Sequence, residues 1–125
     1  MLQYNGQTLA YIGDAVFELY VREALLNGGN IQPNDLHHEA INHTNANAQY
    51  RALKSIESDL SDQEWAVVRR GRNASASKKP KKTKLQTYKM ATGFEALVGY
   101  LYLSGEQERL QTLLRRAVHP TVQEQ

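Results

Sequence analysis

Cysteine is absent from this 125-residue chain, and no apolar stretch is long enough to cross a membrane. The first absence excludes a disulfide framework and any thiolate-held metal, and it fits a reducing compartment. The second excludes a helical span, which needs about 20 apolar residues. The opening "MLQYNGQ" has neither the basic and apolar regions of a secretory signal nor the character of a transit peptide. Alternating apolar and polar residues, the mark of a half-buried strand, are missing too. These absences together lead to the expectation of a soluble cytoplasmic protein with no membrane partner. The length gives one domain, residues 1–125, with a real core.

Acid is missing from one segment in particular. The stretch "RRGRNASASKKPKKTK", residues 69–84, holds Arg69, Arg70, Arg72, Lys78, Lys79, Lys81, Lys82 and Lys84 with no Asp or Glu. The whole chain is only +2, so the rest of it is net negative by six. Basic charge gathered in one place on a mildly acidic protein points to a polyanion. Between Gly71 and Thr83 no apolar residue is larger than Ala. Such a segment cannot build core, and we expect a mobile basic loop at about 72–84.

What is present reads as helix. A first helix is expected from about Gln7 to Asn27, stopped by "NGG" with Gly28 or Gly29 at its C-cap. A second opens at "QPND", with Pro33 in its first turn, and breaks near "NHTN". The third covers Ala46 to Ile56, with Tyr50, Leu53 and Ile56 on one stripe. "SDQE" at 61–64 forms a capping box from Ser61 to Glu64 and starts a fourth helix, which Gly71 should end. A fifth runs from Leu85 to Ser104. Met90, Phe94, Leu97 and Leu101 make its apolar stripe, widened by Ala91, Val98 and Tyr102. A last helix carries Leu110, Leu113, Leu114 and Ala117, and Pro120 should stop it. Trp65 reads as core.

Two acids do not suit their surroundings. Asp14 sits in "AYIGDAVFELY", which is apolar almost all the way round a helix, with Ala10, Tyr11, Phe17 and Glu18 one turn away. Glu95 stands among Ala91, Thr92, Val98 and Gly99 in the other very apolar helix. Burying a lone carboxylate costs several kcal/mol unless something pairs with it. Gly13 adjoins the first acid, and Gly93 and Gly99 flank the second. Each glycine inside a helix costs about 1 kcal/mol relative to Ala, a cost tolerated where another backbone must come close. A crossing of the two helices at Gly13 and Gly99 would bring Asp14 and Glu95 face to face. Two such carboxylates repel unless they share a proton or bind a cation, and Mg²⁺ suits a few carboxylates plus water.

These residues have a resemblance. "LAYIGDAVFELYVREALL" at 9–26 resembles the signature helix of the ribonuclease III family, and "TGFEALVGYLYL" at 92–103 its second acidic motif. "QPNDLH" at 32–37, "RRGRNA" at 69–74 and "QTYKMATGFEALVGY" at 86–100 resemble, in the same order, segments of the Mini-III ribonuclease subclass, which is the catalytic domain without a double-stranded-RNA-binding domain. The resemblance implies an all-α, homodimeric helical bundle of the ribonuclease III catalytic-domain kind. It implies a Mg²⁺-dependent endoribonuclease, with Mn²⁺ as a substitute, that cuts double-stranded RNA and leaves 5′-phosphate ends. The substrate it implies is precursor 23S ribosomal RNA. A ribosomal protein or preribosomal particle joins the second copy of the chain as an expected partner. Asp14 and Glu95 carry over as catalytic residues and metal ligands. Two acids of the full-length enzymes have no counterpart. Ala10 stands four before Asp14 and Thr92 three before Glu95, a reduced set that Mini-III enzymes share.

With no second domain to grip the duplex, the expected RNA-binding residues are Arg69, Arg70, Arg72, Asn73, Lys78, Lys79, Lys81, Lys82, Lys84 and Tyr88, with core packing the alternative for Tyr88. His37, His38 and His43 do not give a metal-binding spacing; His37, within "PNDLH", is read as lying near the RNA or as bland surface. Glu18 is either an orienting group for metal-bound water or an ordinary surface acid. Two rival readings remain open at this point. One is a catalytically silent RNA-binding module of the same fold that serves ribosome assembly. The other is a helical protein-interaction domain with an acidic partner, which leaves Asp14 and Glu95 unexplained.

Overall fold

A computed structural model describes residues 4–29, 32–74 and 83–122, the side chains of Pro33 and of 119–122 excepted. Among these residues there are six α-helices, one 3₁₀ turn and no strand. The helices are α1 (Gly6–Gly28), α2 (Pro33–Thr44), α3 (Ala46–Ile56), α4 (Asp62–Ala74), α5 (Leu85–Leu103) and α6 (Gln107–Val122), with the 3₁₀ turn at Glu57–Asp59.

Side chains placed by the sequence set the helix boundaries. Asn5 caps α1, its Oδ1 accepting the Thr8 N–H at 2.8 Å. Gly29 closes that helix at φ +74°, a left-handed conformation that L side chains rarely adopt, and its N–H reaches the Leu26 carbonyl at 3.2 Å. Asn45 alone separates α2 from α3. Its backbone N–H closes the first on Ile41 O at 3.1 Å, and its Oδ1 opens the second on Ala48 N at 2.8 Å. The capping box forms as expected. Glu64 N–H donates to Ser61 Oγ at 3.1 Å, and Ser61 N–H to Glu64 Oε1 at 2.9 Å.

Helix α5 is the hub and packs against α1, α3, α4 and α6. Phe17 of α1 meets Phe94 of α5 edge to face, with ring centroids 5.1 Å apart, and around this pair lie Val21, Leu53, Ile56, Val68, Leu97, Leu110, Leu113 and Leu114, all fully buried. A carboxylate ties the far end together. Glu64 is 7 % exposed and receives Arg109 through two nitrogens, at 2.9 and 2.8 Å, while Arg109 Nη2 also donates to Asp59 O at 2.6 Å. These bonds hold the Glu64 carboxyl below its ordinary range, chiefly through the Arg109 hydrogen bonds, against an opposing push from burial.

Four expectations need correction. Gly71 does not end α4, which continues to Ala74, so residues 72–74 belong to the helix and not to the loop. Gly71 is buried because α5 presses on it; a Cβ there would lie 2.6 Å from Ala96 Cβ and 2.9 Å from Gly93 Cα. Tyr102 does not widen the α5 core stripe but is 46 % exposed. Pro120 does not stop α6, which runs to Val122; a proline removes one hydrogen bond of the ladder, a loss that a terminal turn can absorb. Trp65 is half-buried at the edge of the core, its indole N–H on Glu57 O at 3.2 Å.

Candidate active site

The site follows from one helix crossing. A Cβ on Gly13 would stand 1.7 Å from the Glu95 carbonyl oxygen, and one on Gly99 2.0 Å from the Leu9 carbonyl oxygen. Neither position admits a methyl group, so α1 and α5 touch backbone to backbone where the sequence places its glycines. Asp14 is next to Gly13 on one helix, and Glu95 lies one turn before Gly99 on the other.

Their carboxyl groups meet across this contact. Glu95 is driven up to about 8, first by burial and then by the hydrogen bond and charge of Asp14 beside it; a hydrogen bond from Gln49 works the other way. The two acids are not equally placed. Asp14 is exposed, which corrects the reading of it as a buried carboxylate, while Glu95 is partly buried. Their contact, not the burial of Asp14, makes the site unusual. Among the described residues no group of three or more Asp, Glu, His or Cys is placed to hold a metal, so the acidic donors here are two.

A third residue escaped the sequence reading. Gln49 of α3 is 3 % exposed and donates from Nε2 to Glu95 Oε2 at 3.1 Å. It stands four before Leu53 and seven before Ile56, on the apolar stripe of its helix. A polar side chain at such a position was the available signal.

The donor set fits a hard divalent cation. Two carboxylates in contact, one of them reluctant to ionise, gain most from a cation that neutralises both. Among the described residues two carboxylates would hold it, which would leave much of its coordination to water and a phosphate.

The other expected residues distribute as follows. Arg69 is exposed on α4. Arg70 is occupied, its Nη2 donating to the Tyr4 carbonyl. Arg72 Nε reaches Asn73 Oδ1 at 3.3 Å, within the last turn of α4. Lys84 is exposed at the N-cap of α5, and Tyr88 is half-buried one turn later. Lys78, Lys79, Lys81 and Lys82 lie outside the described residues. Glu18 accepts from Arg22 Nε at 3.0 Å, an i,i+4 pair, and so is engaged along its own helix. His37 and His38 are exposed, their ring centroids 5.9 Å apart, whereas His43 is buried.

Comparison with known proteins gives the family. The family model described as the ribonuclease III domain matches residues 7–106, which include both acids and Gln49. A Mini-ribonuclease 3 from Symbiobacterium thermophilum is 50 % identical over 88 % of this chain and 85 % of its own. One from Thermoanaerobacter is 45 % identical over 94 % and 83 %. Protein FN1578 from Fusobacterium nucleatum, solved by X-ray crystallography, superposes with a TM-score of 0.85 at 27 % identity, over 94 % of each chain. The chain belongs to the ribonuclease III family of endoribonucleases, and within it to the Mini-ribonuclease 3 group.

Proposed function

We propose that this endoribonuclease cuts double-stranded RNA with a divalent cation, Mg²⁺ or in its place Mn²⁺, held by Asp14 and Glu95. The meeting of the two carboxyl groups at the Gly13–Gly99 crossing carries this reading. The cation supplies polarisation of the scissile phosphate and acidification of a water molecule. The protein's own residues do the rest. Exposed Asp14 presents its carboxylate toward the solvent side, where a phosphate arrives. Glu95, anchored in the hub helix, fixes the depth of the site.

The working unit we propose is a two-fold homodimer. On the outward side of α1 Tyr11 is 78 % exposed, Leu19 58 % and Leu26 62 %, in a stripe that one small domain leaves uncovered. A two-fold pair of sites matches the antiparallel strands of a duplex, so one dimer cuts both. The basic segment from Arg69 to Lys84 supplies the phosphate contacts. A-form RNA offers its backbone and 2′-hydroxyls more readily than its base edges, so recognition by shape and charge suits such a segment. The substrate we propose is the stem formed by the ends of precursor 23S ribosomal RNA, in the cytoplasm, with a ribosomal protein or preribosomal particle as partner.

Incubation with a long RNA duplex, with and without Mg²⁺, tests the reading on a denaturing gel. Cleavage should need the cation, and Asp14→Asn should slow it by several orders of magnitude while still shifting the duplex on a native gel. Near-normal turnover by Asp14→Asn, or cutting that persists in EDTA, refutes it. Primer extension on a 23S precursor stem then tests the substrate.

A further inference from the structure

One buried polar group next to the acidic pair has no role in the chemistry described so far. Gln49 is 3 % exposed on a helix that packs against α5, and its Nε2 donates to Glu95 Oε2 at 3.1 Å. Burying an amide costs free energy unless its hydrogen bonds are made, so an amide on an apolar stripe is there for its partner. The partner is the less exposed of the two acids. An ionised carboxylate only accepts hydrogen bonds, so the amide meets it with N–H.

The residue type decides what the bond is for. A lysine or arginine here would orient Glu95 equally well, but its positive charge would compete with a cation for the same carboxylate. A glutamate would add a third carboxyl group to two that are already in contact. A glutamine alone among the long polar side chains gives a donor without charge of either sign. Its backbone is fixed close by, because Asn45 caps α3 just one turn earlier, with its Oδ1 on Ala48 N at 2.8 Å.

We propose that Gln49 is a positioning residue. Its buried amide holds the Glu95 carboxylate by one oxygen and leaves the remaining acceptor positions to the divalent cation shared with Asp14. This rests on the reading that Asp14 and Glu95 hold that cation.

Gln49→Met keeps the length and burial of the side chain and removes only the donor. In our proposal the Mg²⁺ concentration giving half-maximal cleavage rises about 10-fold, the low end of what the loss of a ligand-orienting hydrogen bond costs in metal affinity. Excess Mg²⁺ brings the rate back toward wild type, whereas Glu95→Gln stays inactive at any Mg²⁺. Duplex binding measured without metal does not change. A readout apart from activity is Mn²⁺ titrated into the RNA-free protein, followed by paramagnetic broadening of the backbone amides of 93–99. The variant should need about 10-fold more Mn²⁺. Unchanged Mg²⁺ and Mn²⁺ midpoints, with only a lower melting temperature, overturn the positioning role and leave the metal reading standing. Wild type without any Mn²⁺ broadening overturns both. If the methionine variant does not fold, the side-chain ¹⁵N signal of Gln49 in wild type decides. It should move on adding Mg²⁺ and stay still in Asp14→Asn, and a signal that Mg²⁺ leaves in place overturns the proposal.

Discussion

Raising the pH of the metal-free protein should loosen it, and the acidic pair sets how much. Glu95 ionises near its ordinary 4.5 in the unfolded chain and near 8 in the fold. Between those values the folded state holds the proton more tightly, so stability is complete below 4.5 and is lost as the pH rises toward 8. Each pH step inside that window costs the folded state about 1.4 kcal/mol. From pH 5 to pH 7 the loss would approach ~2.7 kcal/mol, and partial solvent screening brings it to roughly 2 kcal/mol. For a chain of this size that is on the order of 8 °C in melting temperature. Glu64 has the opposite sign and another window, because Arg109 depresses it. Its contribution is present above 4.5 and is lost in acid, so the two do not overlap. The assay is thermal unfolding of wild type and Glu95→Gln in EDTA at pH 5, 6, 7 and 8. Glu95→Gln should gain about 8 °C on wild type between pH 5 and pH 7. Saturating Mg²⁺ should remove most of that gain, since the cation favours the ionised pair. A difference that is flat across pH would mean that the carboxyl groups do not confront one another at the crossing.

Gly13→Ala must push the two helix backbones apart, because its methyl would lie 1.7 Å from the Glu95 carbonyl oxygen; the loss should exceed ~3 kcal/mol in chemical denaturation, beyond ordinary overpacking, while Gly28→Ala, with nothing within 4 Å, should be neutral or gain up to ~1 kcal/mol. Leu19→Glu with Leu26→Glu should convert a dimer to a monomer of 14.2 kDa in light scattering, and a wild type that is already monomeric and active at micromolar concentration would refute the two-fold assembly. Replacing residues 74–82 with a short neutral linker should weaken duplex binding more than the rate at saturating RNA. The slope of log affinity against log salt should fall by up to about 0.9 for each of Lys78, Lys79, Lys81 and Lys82 that meets a phosphate, and an unchanged slope would place the RNA elsewhere.

Much of this arrangement was legible in the sequence because it rests on local rules. The third helix has the expected ends, Ala46 and Ile56, since Asn45 caps it and the apolar period is regular. The Gly13–Gly99 contact followed from glycines at helix-interior positions where they serve no local purpose. Gly71 misled for a related reason. Near the end of a helix, a glycine that stops the chain and one that admits a neighbour look alike until the neighbour is known. Asp14 was misjudged because apolar neighbours along one helix do not say which side of it meets solvent. Gln49 went unseen because its partner is 46 positions away, and nothing local says that a polar residue on an apolar stripe has found an acid.

The Gly13–Gly99 contact has a consequence for how such an enzyme can vary. Where helices are spaced by side chains, every change of core volume moves them, and whatever they carry drifts with the packing. Here the spacing at the acids is set by main-chain atoms in contact, which no substitution elsewhere can shorten or fill. A change of shape at Leu114, on α6 and not on either helix that carries an acid, should cost stability and leave the register of the two carboxyl groups. Core volume away from the crossing can thereby be tuned for heat or cold with the acids held in place, whereas Gly13 and Glu95 bear on stability and chemistry together.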